Sequence, residues 1–207
     1  MSIGMILLIV VAVLILFGIA QRVLDGMRLN DKAALAVVAA MFIGGLIPSI
    51  RFSENVAINI GGAIIPFALC VYLFVRAETA WEKWRTIIGM IVTGAAVYGL
   101  GRLLPNEPEM MAFDPNYVYG IVGGTVAYIL GRSRRGAFIC GVMGVLLADI
   151  TNAIVQAALG TSYSLNLGGA GFFDVIVLSG IIAVLLAEIF GELMEKIVRS
   201  RREKEAE

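Results

Sequence analysis

Residues 137–190 read AFICGVMGVLLADITNAIVQAALGTSYSLNLGGAGFFDVIVLSGIIAVLLAEIF, two long apolar segments joined by a Gly-rich loop. Asp149 is buried in the first segment and Asp174 stands at the mouth of the second. A carboxylate at mid-bilayer depth costs about 2.5 to 3.5 kcal/mol on insertion scales, so its default reading is a functional or pairing site. Asp149 is therefore the sharpest chemical clue in the chain, although it names no activity.

The composition points the same way as that stretch. Apolar residues make up 59% of the chain and charged residues 15%, with a mean hydropathy of +0.91. Soluble domains hold about 45 to 50% apolar and about 25% charged residues, so the chain reads as an integral membrane protein. Sixteen basic residues balance sixteen acidic ones, and no overall field favours nucleic acid. Cys70 and Cys140 fall inside apolar segments without a CxxC spacing, where a thiol is an ordinary packing group. The sequence has no His, which largely removes zinc, haem and imidazole-base constellations. No cofactor and no metal are expected.

Working outward, the first apolar run spans 3–20 and is long enough to approach a hydrocarbon core of about 30 Å at about 1.5 Å per residue. Its end, Gly18-Ile19-Ala20, resembles a signal-peptidase site. The run lacks a basic leader and exceeds the usual apolar length, so it is taken as a retained helix. Further spans are expected over 33–50, 56–75, 86–104, 117–131, 137–159 and 172–190. Such unalternating runs suit helices and not barrel strands, because lipid offers no partner to a backbone amide. The expected fold class is an all-α integral membrane protein of about seven transmembrane helices, one polytopic domain over 1–195 with a charged tail at 196–207.

The basic residues suggest an orientation. Arg22, Arg28 and Lys32 follow the first span, Arg76, Lys83 and Arg85 the third, and Arg132, Arg134 and Arg135 the fifth. The tail adds Lys196, Arg199, Arg201, Arg202 and Lys204, leaving Arg51 and Arg102 for the other side. The positive-inside rule then puts the N-terminus outside and the C-terminus in the cytoplasm of a prokaryotic plasma membrane. Trp81 and Trp84 suit an interfacial anchor beside Lys83 and Arg85. Glu192 with Lys196 and Glu195 with Arg199 are i,i+4 pairs of favourable polarity, so the last helix should run on past the membrane.

The outer connections differ in character. Glu107, Glu109 and Asp114 make an acidic loop without calcium-loop spacing, best read as solvated. Residues 160–171, GTSYSLNLGGAG, carry no charge; their glycines suit a re-entrant or ligand-facing loop and equally a plain turn. Residues 44–48 (GGLIP) and 61–66 (GGAIIP) each pair a diglycine with a Pro, a pattern found in broken transporter helices and also common in membrane spans generally. Other intramembrane glycines, among them Gly89, Gly94, Gly123, Gly141 and Gly144, allow close helix approach.

Two polar stripes define a candidate interior site. Asn55, Asn59, Gly62 and Pro66 stand at i, i+4, i+7 and i+11 on one side of the third span, and Asp149, Asn152 and Gln156 at i, i+3 and i+7 on the sixth. One reading has the stripes facing across a polar cavity in which Asp149 carries a proton or cation. The other has Asp149 bonded to a neighbouring helix through Asn59 or Thr93. A dyad of Asp149 and Asp174 would instead suggest an intramembrane aspartyl protease. Asp174 starts its run near the surface, and residues 171–174, GFFD, depart from the Gly-x-Gly-Asp motif of that class, so this is a minor alternative.

Residues 58–66 (INIGGAIIP), 168–174 (GGAGFFD) and Ala148-Asp149-Ile150 resemble a prokaryotic membrane-protein family known only as a domain of unknown function. The resemblance runs from about residue 33 to residue 192; it implies a multi-pass membrane protein and supplies no activity. Three classes of function stay open: a transporter or channel-like protein for a small ion or solute, a non-catalytic assembly or regulatory protein, and the protease. No Lys lies inside the last span to form a Schiff base, which argues against a retinal protein. The expected partners are the lipid bilayer and a small ion or solute, with no nucleic acid; a homo-oligomer is left open.

Overall fold

The computed structural model describes residues 2–53, 55–104, 115–160, 165–169 and 172–205, with the backbone alone at 172, 192 and 194–205. The helices are α1 (Ile3–Leu16), α2 (Gln21–Met27), α3 (Asp31–Leu46), α4 (Ile65–Val75), α5 (Ala80–Leu103), α6 (Pro115–Gly131), α7 (Arg134–Ala158) and α8 (Phe172–Glu205). A π-helical turn at Ile60–Ile64 leads into α4. Among the described residues there are also three short strands, β1 (Ile50–Ser53), β2 (Val56–Ile58) and β3 (Leu165–Leu167).

Side-chain caps fix where several helices begin. Ser2, Asn30, Thr79 and Ser133 each accept a hydrogen bond from the backbone N–H three residues on, at Met5, Ala33, Glu82 and Gly136, satisfying a donor the first turn leaves open. Gly18 adopts φ +72°, and the chain bends by 99° between α1 and α2. The first expected span is thus a 14-residue helix followed by a separate short one.

Helices α5 to α8 pack together, and α7 is their centre, with eleven of its residues buried. Small residues set the separations. A Cβ on Gly144 would lie 2.7 Å from Thr93 of α5, and one on Gly120 2.6 Å from Leu178 of α8. The Ser179 hydroxyl of α8 donates to the Gly141 carbonyl of α7 at 3.2 Å. Close approach of this kind lets dispersion and polar contacts hold helices where lipid removes the hydrophobic drive between them. Helix α1 packs on α3 and α8, α3 on the π-helical turn, and α4 on α7.

The second and third expected spans are corrected by the structure. Helix α3 ends at Leu46, β1 (Ile50–Ser53) and β2 (Val56–Ile58) pair antiparallel, and helical structure resumes only at Ile60. Strand β2 pairs antiparallel with β1 and parallel with β3, with Val56 opposite Leu165 and Ile58 opposite Leu167. This sheet gives the extended backbone the partners that a lipid-facing segment would lack. The break is shaped by backbone-on-backbone contact: a Cβ on Gly61 would lie 2.1 Å from Gly45 N, and one on Gly62 1.9 Å from Gly168 O. Gly168 itself holds φ +64°, a conformation that costs glycine little. The two diglycines and the Gly-rich loop singled out in the sequence therefore meet at one place.

At the opposite end the basic loops meet one another. Arg28 pairs with Glu78, and Arg134 pairs with Glu188. Arg135 lies 3.8 Å from Glu78 and 3.7 Å from Glu82, and donates to the Arg76 carbonyl at 2.9 Å. Arg85 donates to the Gly131 carbonyl at 2.6 Å. The Arg28 pair is half exposed and contributes little, whereas Arg135 and Glu82 are largely shielded from water. Trp81 and Trp84 lie exposed on the first turns of α5 at this end.

Among the described residues three helices are long and apolar enough to cross a membrane, Ala80–Leu103, Arg134–Ala158 and Phe173–Gly191, or four with the bent α1–α2 pair. Helix α8 runs on unbroken to Glu205, as the sequence led one to expect of the last helix. The pairs Glu192–Lys196 and Glu195–Arg199 and the acidic loop with Glu107, Glu109 and Asp114 lie outside the described side chains. Isoleucines such as Ile88, Ile91, Ile129 and Ile154 stand exposed on the outer surface, as a lipid-facing helix requires.

The glycine junction yields a stability prediction. Gly61→Ala should lower the thermal melting point in detergent, at a cost of about 1 to 3 kcal/mol as for other overpacked sites. Gly99→Ala, where nothing lies within 4 Å of the added carbon, should leave the melting point unchanged or raise it slightly.

Candidate functional site

The site is built on the last third of α7. Asp149 is 3% exposed and stands nine residues before the helix end at Ala158, about 14 Å along the axis at 1.5 Å per residue. Asn152 and Gln156 follow on the same face and are half-buried. Together they line one wall of a cavity of about 350 Å³.

The opposite wall comes from α5 and α6. Val97, Tyr98, Gly101 and Arg102 of α5 and Tyr119 of α6 face the Asp149 side. Tyr98 and Arg102 stand one turn apart, so the arginine folds back along its own helix. Its Nε and Nη2 donate to the Tyr98 hydroxyl at 3.2 and 2.9 Å, and its guanidinium carbon lies 5.3 Å from the ring centroid. The cation is thereby tethered at the exposed rim while the carboxylate lies deep. Because α5 and α7 both start at the basic end, the cavity belongs to the other half of the bundle.

The expected partner stripe is not here. Asn59 caps the π-helical turn: its Oδ1 accepts from Gly62 N–H at 2.8 Å and its Nδ2 donates to the Ile47 carbonyl at 3.1 Å. Asn55 sits in the β1–β2 turn, where its carbonyl accepts from Leu165 N–H at 2.8 Å. Neither lines the cavity around Asp149. The helical spacing assigned to them fails because helix starts only after Asn59, whose side-chain amide is used on the chain break together with the Asn55 backbone carbonyl. Thr93 is fully buried against Gly144, and its hydroxyl has no hydrogen-bond partner among the described residues, so it does not hold Asp149.

Asp174 is likewise separate. Its Oδ1 accepts from the Gly4 N–H at 3.0 Å, in the first turn of α8, where a carboxylate also suits the helix dipole. It does not line the Asp149 cavity, and the paired carboxylates of the protease reading are not assembled. No group of three or more His, Cys, Asp or Glu side chains suited to a metal occurs among the described residues.

Sequence reasoning missed Tyr98, Arg102 and Tyr119. A signal was present: Arg102 is one of two basic residues outside the clustered loops, and it follows a tyrosine at i,i+4 on an apolar helix. That isolation marks a cation with local work to do.

Fold and site together define an apolar helical bundle with membrane-length helices and a polar cavity on an acid-bearing central helix. The chain belongs to the family described as Protein of unknown function (DUF1614), which matches residues 23–186, in line with the resemblance carried by the glycine and Asp149 motifs. No curated protein and no solved structure matches it.

Cysteine accessibility tests the wet character of the cavity. With Cys70 and Cys140 both buried, background reaction is low. Asn152→Cys should react with a water-soluble maleimide at least about tenfold faster than Ile154→Cys on the outer face, since the thiolate that reacts needs a polar surrounding.

Proposed function

We propose that the chain is a seven-pass protein of a prokaryotic plasma membrane, N-terminus outside and C-terminal tail in the cytoplasm, that binds and moves a small polar solute or ion through the Asp149 cavity. The observation that carries the reading is the cavity itself. A buried acid on a central helix, with two amides along the same face and a tethered arginine opposite, is the arrangement expected of an intramembrane solute site.

The topology has separate support. The α2–α3, α4–α5 and α6–α7 connections with their flanking helix ends hold nine of the sixteen basic residues and bond one another at one end of the bundle, as they would if they shared the cytoplasmic face. Broken helices are also characteristic of transporter folds, where irregular backbone is shielded by protein. The segments α1, α3, Ile60–Val75 and α6 measure about 21 to 26 Å at 1.5 Å per residue, shorter than a 30 Å core, and would cross it with their flanking turns and the small sheet.

Two measurements test this. In intact cells a membrane-impermeant maleimide should label Ser53→Cys, whereas Ala80→Cys should react only after permeabilisation; the reverse pattern refutes the orientation. In proteoliposomes, uptake from a panel of labelled cations and small polar solutes, with and without a pH gradient, should fall at least about tenfold in Asp149→Asn, in keeping with loss of a charged intramembrane contact. Unchanged uptake by a well-folded variant would sink the transport role.

A further inference from the structure

A second recess lies between α1 and α3 and shares no lining residue with the Asp149 cavity. We infer that it holds one acyl chain of an anionic glycerophospholipid, with the lipid phosphate at Lys32. The groove measures about 290 Å³ and is walled by Ile9, Ala12 and Val13 of α1 and by Leu35, Ala39 and Ile43 of α3, among other apolar side chains. None of its lining residues is polar. Ile9, Val13 and Ile43 are exposed, so the groove opens on the outer surface of the bundle. The site rests on the membrane setting proposed above and uses no part of the solute reading.

The lining decides what can fill the groove. Water needs several polar partners to settle in a recess, and here it finds none. A helix from another chain is about 10 to 12 Å across with its side chains, too wide to enter a recess of this volume. A single hydrocarbon chain is thin enough, and it gains contact with Ala12 and Ala39, whose short side chains leave the room.

Charge and length then select the lipid. Lys32 stands three, seven and eleven residues before Leu35, Ala39 and Ile43, so it lies on the groove face of α3, one turn nearer the basic end. It is exposed, and among the described residues no carboxylate pairs with it, whereas Arg28 nearby is held by Glu78. The adjacent Asp31 is turned to α2, where it accepts from Gln21 Nε2 at 3.5 Å. Helix α1 runs antiparallel, its start at Met5 meeting α3 near Gly45, so Leu16 and Phe17 continue its exposed face at the level of Lys32. From Lys32 to Ile43 the axis rises about 17 Å at about 1.5 Å per residue, close to the roughly 15 Å of one leaflet in a core of about 30 Å. A phosphate held by the Lys32 ammonium at the interface therefore leaves its chain running along the groove to the mid-plane. A headgroup without a cation of its own matches a lone ammonium best, which favours an anionic lipid over phosphatidylcholine.

The test is native mass spectrometry of the full chain in detergent with equimolar dioleoyl-phosphatidylglycerol and dioleoyl-phosphatidylcholine, and separately with glycerol 3-phosphate. The wild-type chain should retain one phosphatidylglycerol in preference to phosphatidylcholine by about fivefold, the factor expected of one Lys beside an anionic headgroup. Lys32→Gln should remove that preference, whereas Lys83→Gln, at the same end of the bundle but on α5, should keep it. Ala39→Phe should fill the groove and lose the retained lipid of either kind; Lys32 and Ala39 are both exposed, so these variants should fold normally. Equal retention of the two lipids by the wild type, or a preference that survives Lys32→Gln, would overturn the inference. Binding of glycerol 3-phosphate that persists in Ala39→Phe would assign Lys32 to a free phosphate and overturn the lipid. A wild-type dimer that becomes a monomer in Ala39→Phe would give the groove to a second copy, and overturn it likewise. None of these readouts depends on Asp149 or on uptake, so the solute reading stands or falls separately.

Discussion

The structure depends on three backbone segments touching where no side chain intervenes. The end of α3, the π-helical turn and the Gly-rich loop before α8 approach so closely at Gly45, Gly61, Gly62 and Gly168 that a methyl group at the central positions would overlap backbone atoms. That contact accompanies the departure from helical geometry after α3 and before Ile60. The parallel pairing of β2 with β3 and the cap supplied by Asn59 take up backbone donors and acceptors in this stretch. The first half of the chain is anchored in this way to the start of α8, and through it to the four-helix unit.

The two ends of the bundle are held by different physics. At one end, short-range packing and backbone hydrogen bonds join α1, the sheet and α8, and the Asp174 carboxylate is used on the Gly4 amide. At the other, arginines and glutamates from four segments cross-link the loops. Exposed pairs there are screened by salt, but Arg135 is mostly shielded and anchored by a carbonyl as well, so the layer resists separation more than a count of ion pairs would suggest. Between these ends, α5 and α7 meet along small residues, with Gly94 and Gly144 facing each other and the polar cavity directly beyond.

Much of this was legible in the letters. Helices α6 and α7 begin and end within about three residues of the apolar runs that suggest them, since an apolar run of that length has no other way to satisfy its amides in lipid, whereas α5 begins six residues earlier than its run. The diglycines and the 168–171 loop were legible as unusual, though not as partners of one another, because contacts between residues more than a hundred positions apart leave no periodic trace. Asp149, Asn152 and Gln156 lie on one uninterrupted helix, where spacing alone places them on a common face. The error over Asn55 and Asn59 has a specific cause: spacing arguments assume a continuous helix, and a cap residue looks identical to a lining residue when the first turn is misplaced. Arg102 was legible as an outlier in charge distribution and was given no role, because its partner Tyr98 is an ordinary residue at a membrane helix end.

Where main chain meets main chain directly, as at Gly45–Gly61 and Gly62–Gly168, a junction has a mechanical property that side-chain packing lacks. Leucines and phenylalanines can change rotamer and absorb a small shift one at a time, whereas carbonyls and amides in direct apposition have no such slack. Motion of the residue 168 loop against the π-helical turn would therefore have to carry α3 and the head of α8 along with it. Opening and closing near this end should be a single concerted displacement, and not a sequence of independent adjustments.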